Sequence, residues 1–191
     1  LLETSVLQRL SGPLCDAVTA RTGSQALLEQ VERAGLFLLP LDEVRGWWRY
    51  HQLFADLLRA RLEQQPGRAA QLHRNAAAWY ADHDLADDAI GHAVAAGEMT
   101  LAARLIEEHF DERFYLHGEV STVRRWLALL PPELAGSRAR LLLARARLAL
   151  LDGRPAEAEG LLDLAERSSA DADSRFEPSA GRASSLLVNV P

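Results

Sequence analysis

One stretch of this chain refuses to read as helix, and it constrains the fold more than anything else. Leu36-Phe37-Leu38-Leu39-Pro40-Leu41 is a short continuous apolar run of the buried-strand type. Asp42 to Gly46 is a loop of hairpin length ending in glycine, and Trp47 to Tyr50 returns as a second, aromatic-rich run. Two such runs around a short glycine-containing loop make a β-hairpin. The second run leads directly into a helical pattern. Tyr50, Leu53, Phe54, Leu57, Leu58 and Leu62 recur at steps of three and four and so share one face of a 3.6-residue helix. Upstream, short helices over Glu3 to Leu10 and Leu14 to Ala20 are separated by the breaker Gly12-Pro13. A third helix runs from an N-cap at Ser24 through Ala34, with Leu27, Leu28 and Val31 facing in and Gly35 at C′. Three helices, a two-stranded wing and a closing helix predict a winged-helix domain over 1–66.

Beyond Pro66-Gly67 the pattern is purely helical. Arg68 to His83, Asp84 to Ala96, Leu101 to His117, Glu119 to Leu130, Arg138 to Leu151 and Pro155 to Arg167 read as successive helices, punctuated by Gly97, Gly118, Pro131-Pro132 and Gly153. Asp84, Gly118 and Gly153 lie 34 and 35 residues apart, and each has a small or β-branched residue five positions on: Ala89, Val123 and Ala158. A period near 34 with helix–turn–helix units is the tetratricopeptide-like pattern, so 67–167 is expected to be an α-solenoid of about three helix pairs. The fold class predicted is therefore mainly α: a winged helix with a short β-hairpin, then a tetratricopeptide-like α-solenoid. Residues 168–191 lose the periodicity and are expected to be a loosely ordered tail or a truncated repeat.

Composition narrows the chemistry. The net charge of −6 argues against a general polyanion binder, and residues 1–66 carry seven arginines against eight acids, a net −1. The helix that would enter a DNA groove, Ser24 to Ala34, sets Glu29 and Glu32 against Arg33 alone, where phosphate contact needs a basic excess. A packing or hinge module fits this winged helix better than a DNA reader. Cys15 is the single cysteine, which rules out an internal disulfide framework, fits a reducing cytoplasmic setting, and is expected to be a small core residue. Apolar runs are too short and too interrupted by arginine to cross a membrane. The chain opens at Leu1 without methionine and is expected to be a piece of a longer protein.

Few residues suggest chemistry. His51 sits where strand hands over to helix, at the end where unpaired amides carry partial positive charge and can hold an anion. It is the candidate site residue, either contacting a nucleotide phosphate or packed beside Trp47 or Trp48. Asp82, Asp84, Asp87 and Asp88 near His83 and His92 lack the spacing of a calcium loop; an N-cap at Asp84 with first-turn charges explains them, and no metal is expected. His109 and His117 have no cysteine or His-Glu-x-x-His partner pattern. Trp79, Tyr80, Phe110, Phe114, Tyr115 and Trp126 are core aromatics or the lining of a peptide-binding groove. The chain has no Gly-Lys-Ser phosphate loop and no Gly-x-Ser-x-Gly elbow, so it is not expected to be an enzyme by itself.

The order of motifs is specific. Thr4-Ser5-Val6-Leu7, Leu14-Cys15-Asp16-Ala17-Val18-Thr19, Leu27-Leu28-Glu29, Leu36-Phe37-Leu38, the block Arg49-Tyr50-His51-Gln52-Leu53-Phe54-Ala55-Asp56-Leu57-Leu58, and Leu72-His73-Arg74-Asn75-Ala76-Ala77-Ala78-Trp79-Tyr80 together resemble the MalT-like, large ATP-binding regulators of the LuxR family. The resemblance implies a middle fragment of such a regulator. An ATPase module of the same chain would precede the winged helix, and a C-terminal helix-turn-helix would read DNA. The helical repeats would receive a small-molecule or protein effector. It further implies that His51 approaches the phosphate of ATP or ADP in the intact protein, while no cofactor and no catalytic residue are expected in this fragment; if the winged helix is a hinge, Gln52 to Leu62 is the candidate moving joint. The alternatives are a winged-helix DNA-binding protein and a peptide-binding solenoid scaffold.

Overall fold

Short-range backbone demands account for most element boundaries in the computed structural model, which describes residues 1–176. The described residues fall into two compact units, 1–111 and 112–176.

The first unit opens with a 3₁₀ turn over Glu3–Val6. The predicted helix Glu3 to Leu10 stops there, because Leu7 turns extended and Leu10 pairs with the hairpin. Ser11 then caps α1 (Gly12–Thr19), its side chain accepting from the Leu14 amide. Gly12-Pro13, expected to break a helix, instead starts one. Proline lacks only an amide that the first helical turn leaves unpaired anyway. Helix α2 (Ser24–Arg33) follows. Ser24 is its first residue rather than its cap: Gly23 occupies the cap position, and the Ser24 amide donates to Asp16 Oδ1 at 2.9 Å. Leu28 and Val31 face inward as expected, but Leu27 is exposed.

A Cβ on Gly12 would lie 2.8 Å from Gln25 Cβ and 3.1 Å from its Cα, so α1 and α2 touch through this glycine. Gly12→Ala should therefore destabilise by about 1–3 kcal/mol through overpacking, outweighing the roughly 0.5–1 kcal/mol a helical alanine usually gains. A denaturant melt reads this directly, and an unchanged midpoint would show that the contact can relax.

The wing is β1 (Leu38–Pro40) paired antiparallel with β2 (Trp48–Tyr50), Leu38 opposite Tyr50 and Pro40 opposite Trp48. Leu10 adds a third rung: it exchanges both backbone bonds with Trp48, at 2.7 and 2.8 Å. The first run is not buried throughout. Leu38 alone of this run is buried, while Leu36, Leu39, Pro40 and Leu41 are exposed. Helix α3 (Gln52–Glu63) closes the winged helix, and α4 (Pro66–Asp82), α5 (Ala86–Ala95) and α6 (Met99–Asp111) pack on in turn. The compact unit does not end at Pro66. Helix α4 lies against α1, the Asn75 side-chain amide donates to the Val18 carbonyl at 2.9 Å, and Arg68 pairs with Glu3.

The second unit begins with a π-turn over Glu112–Leu116, followed by α7 (Val120–Ala128), α8 (Pro132–Gly136), α9 (Ala139–Leu151) and α10 (Pro155–Phe176). Leu142, Ala146 and Ala149 of α9 interlock with Ala158, Leu161 and Ala165 of α10. Asp152, in the turn between these helices, accepts two hydrogen bonds from Arg124 of α7 at 2.8 and 3.0 Å and one from Arg154 at 2.6 Å, which pushes its carboxyl down to about 2. Residues 168–176, expected in the loose tail, are helical in α10. The rest of that expectation, 177–191, lies outside the described residues.

The helix-to-helix turns share one geometry. Asp84, Gly97, Gly118 and Gly153 all have left-handed backbone, with φ between 56° and 79°. A helix begins two residues after each, and the residue five positions on (Ala89, Ala102, Val123, Ala158) is at most 1% exposed. After Asp84, Gly97 and Gly153 the next amide reaches back five residues, to the carbonyls of Tyr80, Ala93 and Ala149, at 2.8–2.9 Å. This is the Schellman closure, which satisfies carbonyls left over at a helix end. Asp84 is thus a turn residue and not the N-cap expected of it. Leu85 takes that position without a side-chain bond, while Asp87 and Asp88 do lie in the first turn of α5.

Candidate functional site

His51 is the residue that joins the wing to α3. It occupies the N-cap position, with φ −57° and ψ 135°, and its carbonyl accepts from the amides of Phe54 and Ala55 at 3.0 Å. Its own amide donates to the Phe37 carbonyl at 2.7 Å. Phe37 holds that carbonyl in place from a left-handed conformation (φ 55°), which is strained for a bulky side chain. The Phe37 ring stacks on Phe54 with centroids 5.2 Å apart. The His51 side chain is exposed and makes no capping bond. Packing beside a tryptophan is not its role: Trp48 is wholly buried and donates from Nε1 to Glu32 Oε2 at 2.9 Å, and Trp47 lies under the Arg9 guanidinium at 5.3 Å.

The surface around His51 is apolar and open. Leu53 is 76% exposed, Leu57 65% and Phe37 57%. The single buried stripe expected on this helix is therefore split. Tyr50 and Leu62 are buried, Phe54 and Leu58 are half-buried, and Leu53 and Leu57 point outward. Helix α3 instead packs through Ala55 and Arg59, whose Nε donates to the Ser5 carbonyl at 3.1 Å, against the N-terminal turn. Beneath the wing, Tyr50 accepts or donates at 2.6 Å with Thr4 Oγ1, and burial pushes its hydroxyl up to about 12. A shallow groove of about 450 Å³ lies on that side, lined by Val6, Gln8, Arg49, Tyr50, Gln52, Ala55 and Arg59. Of its two guanidinium groups, that of Arg59 is already engaged by Asp56 and the Ser5 carbonyl, both at 3.1 Å.

The α2 helix is poorly equipped for phosphate. Glu32 binds Trp48 Nε1 and Arg45 Nε, at 2.9 and 3.1 Å, and the Trp48 hydrogen bond chiefly holds its carboxyl below the usual range. Arg45, a wing-loop cation, is thereby neutralised by an acid of the would-be reading helix.

The other candidates disperse. Cys15 is buried among apolar residues and its thiol is pushed up to about 12, mainly by burial, so it is a core residue rather than a nucleophile. His83 stacks on Trp79 at 3.8 Å, while His92 turns to α4. Among the described residues no three His, Cys, Asp or Glu side chains gather as a metal site. Of the aromatics, Tyr80, Phe110 and Trp126 are buried core, whereas Tyr115 is exposed beneath Arg147 at 5.0 Å. The sequence reading missed the pair His73 and His92. The signal was present: His73 lies seven residues before buried Tyr80, and His92 falls between buried Ala89 and Ala93.

Comparison with known proteins decides the family of this site. Residues 1–70 match the model of the MalT winged helix domain. These residues are a MalT-type winged helix. The similarity continues beyond them. The serine/threonine-protein kinase PknK of Mycobacterium tuberculosis H37Rv is 38% identical over 184 residues, 96% of this chain and 16% of that protein. The HTH-type transcriptional regulators MalT of Vibrio parahaemolyticus and Klebsiella pneumoniae are 31% and 33% identical, over 100% and 87% of this chain and 21% and 18% of theirs. The chain thus spans about a fifth or less of the length of these relatives, and is similar to both PknK and the MalT regulators over most of its own length.

Proposed function

We propose that this chain is the part of a longer MalT-like transcriptional regulator that couples a nucleotide-dependent switch to a helical sensor arm. The observation that carries the reading is the exposed apolar surface of Phe37, Leu53 and Leu57 around His51. A soluble domain gains nothing from leaving such a patch bare, so it fits coverage by another module. The occupant proposed is an ATPase module of the same polypeptide, with His51 and the N-terminus of α3 facing the phosphate of bound ATP or ADP. The relatives carry different outputs in their names, a serine/threonine-protein kinase and an HTH-type transcriptional regulator, yet share this segment. That supports a role in what they have in common rather than in either output.

The helices from α4 onward, with their recurring left-handed turns, are read as a tetratricopeptide-like arm that receives an effector or protein partner. DNA is reached through a further domain of the LuxR helix-turn-helix type, because α2 and the wing loop are each net acidic, with Glu29 and Glu32 against Arg33 and Asp42 and Glu43 against Arg45. No helix among the described residues is long and apolar enough to cross a membrane, and a cytoplasmic setting is proposed.

The test uses the intact protein. His51→Ala should weaken ADP binding about tenfold, the loss of one charge-assisted contact, and raise basal transcription. Unchanged affinity together with unchanged transcription would refute the switch role. The DNA-reading alternative predicts that this piece alone shifts duplex DNA at low salt, with binding that collapses as salt rises.

A further inference from the structure

His73 of α4 and His92 of α5 face each other with Nδ1 atoms 2.8 Å apart and ring centroids at 5.0 Å. His92 is buried and its ring lies flat against Tyr80, at 5.3 Å and 22°. His73 is half-buried, the more accessible of the two. At this distance one imidazole donates its Nδ1–H into the other's Nδ1 lone pair. A first added proton can sit on an outward Nε2 and leave that bond intact. A second proton must occupy the last Nδ1 lone pair, and two N–H groups then point at each other across 2.8 Å in a desolvated site.

We propose that the His73–His92 pair is an acid-sensitive latch: it holds α5 to α4 at neutral pH, and protonation of both rings releases α5. The surroundings do not supply a compensating anion to the pair. On α4, Tyr80 is the ring under His92, and Arg74 beside His73 is engaged with Gln71 and Glu98. Asp88, four residues before His92 on α5, pairs with Arg9 at 3.4 Å. Cys15 is the titratable group that α1 contributes next to Tyr80. The buried residues of α6 are apolar: Ala102, Ala103, Leu105, Ile106 and Phe110. The last turn of α5 would by itself favour a cation at His92. Burial and the neighbouring His73 override it, and both rings are held below the ordinary imidazole range.

The latch has a route to the wing. Release of α5 frees Asp88 from Arg9, and Arg9 is the cation lying over Trp47 at the base of β2.

The test combines imidazole titration by NMR with hydrogen exchange of the α5 amides in the whole chain. Between about pH 7 and pH 5 the protection factors of α5 should fall roughly tenfold or more, as expected when about one unit of differential proton affinity is expressed. The two rings should titrate as a coupled pair in separated steps. His92→Phe keeps a ring on Tyr80 but cannot take a proton, and should flatten the pH response; Asp88→Asn should leave it in place. If His92→Phe does not fold, His73→Gln serves instead, since it keeps a donor for His92 and leaves one titrating ring. Two independent ordinary titrations, pH-independent α5 protection in the unmodified chain, or a wild-type response in these histidine variants would each overturn the proposal.

Discussion

Trp48→Ala should lower stability by about 3–5 kcal/mol, the usual range for truncating a fully buried aromatic, and lower the melting temperature by roughly 10 °C for a chain of this size. Three observations converge on this side chain. It is 0% exposed, its indole N–H satisfies Glu32 of α2, and its backbone carries pairings to both Pro40 and Leu10. Removing the ring leaves a cavity between α2, the wing and Leu10, and takes from Glu32 the Trp48 hydrogen bond while that from Arg45 stays. Trp48→Phe separates the two contributions. It keeps an aromatic ring in the site but loses the N–H and part of the ring volume, so it should be milder than alanine, by about 1–2 kcal/mol. A denaturant melt of the three proteins ranks them. An alanine variant within about 1 kcal/mol of the parent would mean that the wing is not anchored through this residue.

Acid should destabilise this fold earlier than carboxylate protonation alone would. Burial, and then His73, push the His92 imidazole from 6.5 down to about 4. The sign follows from which state takes the proton. In the unfolded chain His92 binds a proton as pH falls through 6.5, while the folded chain refuses it until about 4. The stability this group contributes is therefore complete above 6.5 and is drained progressively as pH falls towards 4. At 1.36 kcal/mol per unit, the loss approaches about 3 kcal/mol at the acid end. His73, displaced in the same direction by burial, adds to the trend. Stability measured by urea melts across that window should fall with pH, and His92→Phe should remove most of the slope. A flat profile would show that the rings are solvated in solution.

Some features were legible because their cause is local. A left-handed turn requires a residue that tolerates positive φ, so Gly97, Gly118 and Gly153 mark helix ends in the sequence as they do in space. The buried small residues five positions on follow from the same turn geometry and were visible at Ala89, Val123 and Ala158. The hairpin was legible from two apolar runs and Gly46, and His51 was placed correctly at the junction of strand and helix. The reading went wrong where a residue's meaning depends on a distant partner. Pro13 is a starter because Ser11 is extended and caps the helix, directly after Leu10 has paired with Trp48. Leu53 and Leu57 fit an inward stripe by spacing, yet Arg59 takes the inward side through the Ser5 carbonyl, 54 residues away in sequence.

By itself, then, the sequence determined the hairpin, most of the longer helices and the positions of the glycine turns, though not the short helix α8 or the break after Asp111, because periodicity and backbone sterics act within a few residues. Tertiary structure alone decided which face of α3 is covered, that α4 packs against α1 and the N-terminal turn with α5 and α6 following it, and that His73 meets His92. Those outcomes depend on which surfaces meet across long stretches of chain, and short-range spacing does not encode that choice.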